Sequence, residues 1–424
     1  MTLFQLSVVS ASLYCDAGNL HGRLYMMGNF MLIETDGSYH AFPSGHFLRN
    51  PMSFDHSGKY ETSAGARPWL HRPLIETFQS SNRVSADIAI KSPLRDTTKN
   101  AIAINCLDGV FGHAFYKLLN CQIASNAHPD MDVIVIIHPA LSWMVPKGVE
   151  QWLVDTAFHD QDGWIEELEP FICQQISRFG KLNLWAASMH YDMAQIDFSP
   201  FLGMAPFKFE EVDERPVKIS IIARDDRFWL RGTISQFLFL VMIRFRLQHI
   251  LKPYLRRVQH RNYNKLIKEV RRHFEAVEVK VLGLGGRGGM NADADHREAY
   301  DSYIQHEEDR CKAYRSSHVS IGILGSHMLL PSYLSAGFIS LVPTYKIPNF
   351  GEDYVPRQND PAQRRIFMSR FLSDTLRPKV IAQHIHQMVS GAKSHGIRHD
   401  ISETDNLVRE LPSDLSKKIE GPQD

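Results

Sequence analysis

The sequence predicts an α/β protein: two doubly wound, Rossmann-like halves, preceded by a β-rich segment and followed by one helix. Three observations carry this reading. From residue 100 onward, short apolar runs alternate with amphipathic stretches, the pattern that builds a parallel sheet with crossover helices. The alternation pauses at "FKFEEVDERPVK", residues 207 to 218, a charged stretch with a proline, and restarts at "VKISIIA". A length of 424 residues also exceeds what one core ordinarily serves, so two domains are expected.

Residues 1–98 form the β-rich N-terminal elaboration. In it, "NFMLIETDGSYHAF" alternates around Asp36-Gly37, a hairpin signal, while the stretch down to Asn82 is rich in Ser, Gly, His and Pro and reads as long loops. The first Rossmann-like domain spans 99–210. Its strands are expected at "AIAINCL" (101–107), "MDVIVIIHP" (131–139) and "KLNLWAAS" (181–188), with helices at "GHAFYKLLNCQI", "VEQWLVDTAF" and "IEELEPFICQQISRF". The second domain, 216–376, has apolar strands at "VKISIIA" (217–223), "VEVKVLGLGG" (277–286), "HVSIGIL" (318–324) and "FISLVP" (338–343), and one long helical region from about Thr233 to Phe274. "RPKVIAQHIHQMVSGAK" supplies a terminal helix within 377–395, and 396–424 is a polar tail with little apolar periodicity, the composition of a loosely ordered end.

Composition excludes several function classes. Lys plus Arg equals Asp plus Glu at 47 each, so no global charge points to a nucleic acid partner, and any basic site must be local. The 21 histidines are scattered without metal-ligand spacing, and no metal or cofactor is expected. Five cysteines, widely spaced and odd in number, make neither a disulfide framework nor a zinc pair. Those in apolar runs, such as Cys106, read as buried thiols of a reducing compartment. The N-terminus lacks the basic start of a signal peptide. The strongest apolar run, Phe237 to Ile243, stops at Arg244, well short of the roughly 20 residues that span a bilayer. A cytoplasmic location is therefore expected. The stretch 242–265 carries Arg244, Arg246, Lys252, Arg256, Arg257 and Arg261. It reads first as a helix with a solvated basic face, and second as a peripheral contact with anionic headgroups on the inner face of a membrane.

Three strand ends carry the candidate chemistry. "ISIIARDDRFW" delivers Arg224, Asp225, Asp226 and Arg227 to the carboxyl edge of the second sheet. That edge is where open α/β sheets bind ligands, and the planar fork of arginine suits a diphosphate. The alternative is a solvated turn in which these residues pair with each other. In "SIGILGSHMLLPSYLSAG", Gly322, Gly325 and Ser326 leave room for backbone amides to meet an anion, and Pro331 fits the first position of a helix. Any strand-to-helix corner favours small residues, so this turn could equally be only a corner. In "NCLDGVFGHAFYKLLN", Asp108 and His113 bracket the first loop of the first sheet. There a carboxylate or imidazole can take a proton from a hydroxyl, or merely cap the helix. "GLGGRGG", 283 to 289, is followed by polar residues before any helix and reads as a flexible loop over the cleft, not as a dinucleotide fingerprint.

Together these residues resemble the GT-B glycosyltransferases, in particular a bacterial and xylosyltransferase-like group with a "G-(V/I)-H-G-S-N-M-L-L-P-S" turn. The matching residues run from Gly322 to Ser332. "ARDDRFW" resembles that group's arginine-containing turn, and "GHAFYKLLN" its Gly-His turn. The resemblance covers about residues 100 to 395. This chain departs from the pattern with Leu324 in place of His and His327 in place of Asn. The resemblance implies that Arg224, Arg227, Gly325, Ser326 and His327 hold the pyrophosphate of a nucleotide-sugar donor. It further implies that Glu352 and Asp353 bind ribose hydroxyls, and that Asp108 or His113 is the base facing a glycan or lipid-linked acceptor. Charge on the leaving diphosphate would be met by arginines and amides, with no metal required. Leu324 cannot donate to a phosphate, so the rival expectation is a non-catalytic relative that binds a nucleotide or a protein. A nucleotide-sugar epimerase or dehydrogenase is a weaker rival, since "YNKLIK" lacks the Tyr-x-x-x-Lys spacing of such enzymes.

Overall fold

The computed structural model describes residues 2–17, 20–62, 68–80, 83–94, 99–208, 212, 216–245, 247–299, 304, 306–349, 354–355 and 368–394. Seven strands open the chain: β1 (Leu3–Val9), β2 (Ser12–Ala17), β3 (Leu20–Met26), β4 (Met31–Thr35), β5 (Ser38–Ala41), β6 (Met52–Phe54) and β7 (Tyr60–Thr62). They pair in sequence order as an antiparallel meander. The β4–β5 turn is the hairpin expected at Asp36-Gly37, with both residues at positive φ (48° and 78°), as a two-residue turn of this hand requires.

After α1 (Pro68–Gln79) and β8 (Arg83–Val84) come β9 (Asp87–Lys91), β10 (Ala101–Asn105), α2 (Phe111–Leu118), α3 (Asn120–Ala127), β11 (Asp132–Ile137) and β12 (Glu150–Asp155). Next are β13 (Trp164–Ile165), α4 (Leu168–Ile176), β14 (Leu182–Trp185) and α5 (Ser199–Leu202). Strands β14-β10-β11-β12 are parallel neighbours. The meander joins them edge to edge, because β1 pairs antiparallel with β14, while β9 closes the far edge against β12. The N-terminal elaboration is thus continuous with the first parallel sheet.

Three expectations are corrected here. "VEQWLVDTAF" is the strand β12, not a helix: it lies between β11 and β9 and is buried on both faces, Glu150 and Trp152 included. Its carboxylate mimics a helix's polar face in sequence but is satisfied inside, by Arg178 (2.7 and 2.9 Å), Trp152 Nε1 (2.7 Å) and the Leu94 amide (2.8 Å). The region read as long loops contains β6, β7 and α1, which close an aromatic core with Tyr39, Phe54 and Phe78. The long helical region is two helices, α6 (Thr233–Arg244) and α7 (Gln248–His273), broken where the Leu247 amide donates to the Met242 carbonyl.

The second sheet comprises β15 (Val217–Arg224), β16 (Val277–Leu284), β17 (Ala294–Asp295), β18 (Val319–Ile323), β19 (Gly337–Val342) and β20 (Ser369–Ser373), with α8 (Glu307–Arg315), α9 (Leu329–Leu334) and the terminal α10 (Pro378–Ser394). All neighbours are parallel, in the order β17-β16-β15-β18-β19-β20. That is the doubly wound order of a Rossmann sheet, and its switch point falls between β15 and β18. One apolar core serves both halves: Ile104, Phe115 and Phe198 share it with Met328, Leu330 and Tyr333. Phe198 and Tyr333 rings lie 5.0 Å apart, and the Phe207 amide donates to the Leu334 carbonyl (2.8 Å).

Gly283, Gly285 and Gly288 do have the G-x-G-x-x-G spacing, but β17 follows them instead of a helix, so no helix N-terminus faces a pyrophosphate there. Nor is this loop loose: the buried Arg297 donates to the Gly288 carbonyl (2.6 Å) and to Asp295, which accepts from the Gly288 amide (2.8 Å). The glycines serve strand packing. At Gly283 (φ 117°) a Cβ would lie 2.1 Å from the Ala223 carbonyl oxygen of β15. Gly283→Ala should therefore lower stability by about 3 kcal/mol or more, seen as a lower urea midpoint. Gly286→Ala, where a Cβ meets nothing within 4 Å, should change it by under about 0.5 kcal/mol.

Candidate active site

The carboxyl ends of β15 and β18 meet at the second sheet's switch point. Helix α7 holds the β15 turn from outside: Gln259 donates to the Arg224 carbonyl (3.1 Å) and accepts from the Trp229 amide (2.9 Å). Arg256 pairs with the buried Asp225. The fork of Arg224 is bidentate on Asp226, at 2.8 and 2.7 Å. Part of the paired-turn alternative is therefore real. Arg227 lies instead across the neighbouring turn. A Cβ at Gly325 would sit 1.4 Å from its Nη1 and 3.1 Å from the His327 ring, so glycine is what lets guanidinium and imidazole close over this turn.

His327 is 6% exposed, and among the described residues neither ring nitrogen has a partner at hydrogen-bond geometry. Burial first, then Arg224 and Arg227, push its pKa well below the usual imidazole range, with the Ile323 carbonyl opposing. A neutral imidazole has one N–H to donate and one lone pair, and an imidazole is an unusual thing to bury between cations. Leu324 is fully buried, and its backbone is used: its amide donates to the Leu341 carbonyl (2.9 Å), and its carbonyl accepts from Arg227 (3.4 Å).

The turn itself differs from expectation. Gly325 stands before the 3-10 turn Ser326–Met328, and no side chain caps it. The Met328 amide is spent on the Gly325 carbonyl (2.7 Å). Pro331 is the third residue of α9, not the first; its missing N–H falls within the first turn, where no intrahelical acceptor is lost.

On the first sheet the switch point lies between β10 and β14. Asp108 follows β10, and His113 lies in the first turn of α2. Asp108 is 4% exposed and accepts from the Val110 amide (3.0 Å). One of its oxygens lies 3.3 Å from His113 Nδ1 and the other 3.1 Å from Lys117 Nζ. Burial alone would raise its pKa, but Lys117 and His113 outweigh it and hold the carboxyl well below the usual range. Lys117, one helical turn after His113, also donates to the Leu107 carbonyl (2.8 Å) and to Asn29 from the N-terminal meander. Asn29 in turn donates to Asp162 (2.8 Å), whose own pKa is raised by burial and then by the Asp108 charge.

The 3-10 turn Gly45–Leu48 adds His46, whose ring meets His113 edge-on at 4.8 Å and lies 5.9 Å from His190. Burial, then His113, depress its pKa to about 4. A cavity of about 510 Å³ is lined by His46, Arg49, His113, His190 and Tyr191 from the first half and by Ser326 from the second. The two halves approach closely here: a Cβ on Gly112 would lie 2.4 Å from that of Ser326. The structure thus places Arg224, Arg227, Gly325, Ser326 and His327 around one turn; of these Ser326 lines the cavity, as does His113, which is backed by Asp108. Glu352 and Asp353 lie outside the described residues. Sequence reasoning passed over His46, His190, Asn29 and Lys117; only Lys117, at i+4 from His113, carried a local signal.

No family model matches the chain, and no curated protein matches it. Among solved structures, the E. coli heptosyltransferase WaaC with ADP is similar over 68% of this chain and 99% of its own, at 10% identity and a TM-score of 0.37. The crystal structure of TarM is similar over 96% of this chain and 78% of its own, at 8% identity and a TM-score of 0.22. Both scores are low, and the fold rests on the strand order above.

Two tests follow from the buried charges. Asp108→Ala strands the Lys117 ammonium without a counter-charge and should cost about 3–5 kcal/mol in chemical denaturation, whereas His113→Gln should cost about 1 kcal/mol or less. For His46, the folded-state pKa lies below the unfolded value, so the unfolded chain takes up the proton first. Stability from this group is present above pH 6.5 and lost as pH falls toward 4. His46→Gln should remove up to about 3 kcal/mol of that acid lability, read from melting temperature against pH.

Proposed function

We propose that the chain is a GT-B-type glycosyltransferase that moves a sugar from a nucleotide-sugar donor to a hydroxyl of a glycan or lipid-linked acceptor. One observation carries this reading: Ser326, on the glycine turn over which Arg227 and His327 close, comes against α2 at a cavity that it lines together with His113, the partner of Asp108. The turn suits a diphosphate and the aspartate–histidine pair a hydroxyl. The turn from Gly322 to Ser332 supports kinship with the bacterial and xylosyltransferase-like group. A cytoplasmic role in polysaccharide assembly accords with that kinship.

In this mechanism the acceptor oxygen attacks the anomeric carbon while the bond from that carbon to the diphosphate oxygen breaks. The electron pair leaves with the diphosphate, and the hydroxyl proton passes to His113 Nε2. Asp108 holds Nδ1–H, fixing the tautomer and stabilising the imidazolium that forms. Asp108 is therefore a positioning residue and His113 the base. Lys117 keeps Asp108 ionised. Arg227 and the Gly325–His327 turn receive the diphosphate, and Arg224 joins by exchanging Asp226 for phosphate oxygens. Fixed cations aimed at developing charge in a partly dry site lower the barrier without reorganisation. Glu352 and Asp353 keep the ribose role implied by the resemblance.

A non-catalytic nucleotide binder is the second reading, favoured by the buried Leu324 and by the occupied fork of Arg224. A thermal-shift screen against UDP, GDP, CMP and dTDP separates the two. One nucleotide at about 100 times its Kd should add about 2.7 kcal/mol of stability, and Arg227→Ala should abolish the shift. With the matching sugar donor, His113→Ala should keep the shift but lower kcat by about 10²–10⁴-fold. A shift without transfer from any donor would leave the binder reading; no shift with any nucleotide would sink both.

A further inference from the structure

We propose that the α6–α7 elbow is a docking surface for an anionic lipid bilayer. Helix α6 is apolar on both sides. Its inner face packs Phe239 and Met242 against Phe228, Leu230 and Leu255. Its outer face presents Ile234, Phe237 and Leu240, exposed by 74, 62 and 57% at three-residue spacing. Phe245 (67%), just past the end of α6, and Ile250 (59%) and Tyr254 (46%) on α7 are exposed as well. Single exposed apolar residues are ordinary, but a contiguous strip on a helix that should turn a polar face to water is not.

Charge names the occupant. The chain is balanced overall, yet residues 233–273 hold ten Lys and Arg against one acid, Glu269, which pairs with Arg272 (2.7 Å). The exposed stripe of α7 that begins with Ile250 and Tyr254 runs on through Arg257, Arg261, Lys265 and Lys268, about 27 Å along the axis at 1.5 Å per residue. Among the described residues these four cations make no ion pair, and with Asn264 and Asn291 they line a groove of about 690 Å³. An anionic bilayer uses both halves of the surface: the acyl boundary takes the ridge and headgroup phosphates take the cations. A nucleic acid would leave Ile234, Leu240 and Ile250 without use. A second copy would set like charges against each other. No described helix is long and apolar enough to cross a membrane, so the contact is peripheral. The inner face of α6 adjoins the Arg227 turn, since Tyr345 lies 6.4 Å from the Phe239 ring and within the field of Arg227.

Flotation of the full chain with phosphatidylcholine vesicles, with and without phosphatidylglycerol, tests this. Binding is expected only with phosphatidylglycerol, weakening as salt rises. Replacing Arg257, Arg261 and Lys265 together by glutamine should weaken it on the order of 100-fold. Phe237→Ser with Phe245→Ser should abolish it with the melting temperature retained, because both side chains already face water. Equal binding to both vesicle types, or binding untouched by the serine pair, would overturn the proposal. So would the absence of binding, or a concentration-dependent dimer that the serine pair dissolves.

Discussion

The close approach of Gly112 to Ser326 is the constraint on which the cleft depends. Two parallel sheets can each present a carboxyl edge without those edges forming a site; they must face each other within reach of one ligand. Here the α9 turn rides on an apolar core shared with the first sheet, through Met328, Leu330 and Tyr333 against Phe115 and Phe198. Where that core ends, the backbone of α2 and the Ser326 turn come together with no room for a Cβ. His113, the next residue after Gly112, is thereby set opposite the Arg227 turn. Dense packing beneath the cleft fixes the geometry above it, so the separation of His113 from the Arg227 turn is a property of the core.

The electrostatics are arranged in opposite ways on the two sides. On the first, a carboxylate is buried and kept ionised by a lysine that is itself almost fully buried. Such a pair is weak evidence for stability, since each charge costs desolvation. What it provides is a fixed negative partner for one nitrogen of His113, at a place where water would otherwise compete. On the second side, positive charge accumulates around an imidazole kept neutral by burial first and then by that charge. The contact of Ser326 with Gly112 brings the cationic turn close to the aspartate–histidine pair, an arrangement that suits a ligand anionic at one end and hydroxylated at the other.

Much of the fold was legible because it depends on local pattern. Apolar runs of the right length lie between helical periods from residue 100 onward, and β15, β16, β18 and β19 fall where those runs do, whereas β17 and β20 carry no such run. The failures share a cause. Glu150 and Gln151 lie on a strand buried on both faces, where polar residues carry no periodic meaning and are satisfied by partners far along the chain, such as Arg178. The same holds for the site. Asp108 and Arg227 were visible because strand ends are special places in any parallel sheet. His46 and Asn29 reach the cleft only because β1 pairs with β14, a contact between residues separated by most of the first domain.

That pairing changes what the N-terminal elaboration is. A meander appended to a sheet edge caps a row of unpaired backbone groups, and edge protection alone would justify it. Yet its turns deliver Asn29 to Lys117, and His46 to the ring of His113. A segment that merely covered an edge would have no reason to send polar side chains past it into the neighbouring network. Behind α2 the network is drawn from the meander (Asn29), from the β10 loop (Leu107 and Asp108) and, through Asn29, from Asp162 on the approach to β13. The first half of the cleft is therefore assembled from three separate stretches of chain, and none of them holds its charges in place without the others.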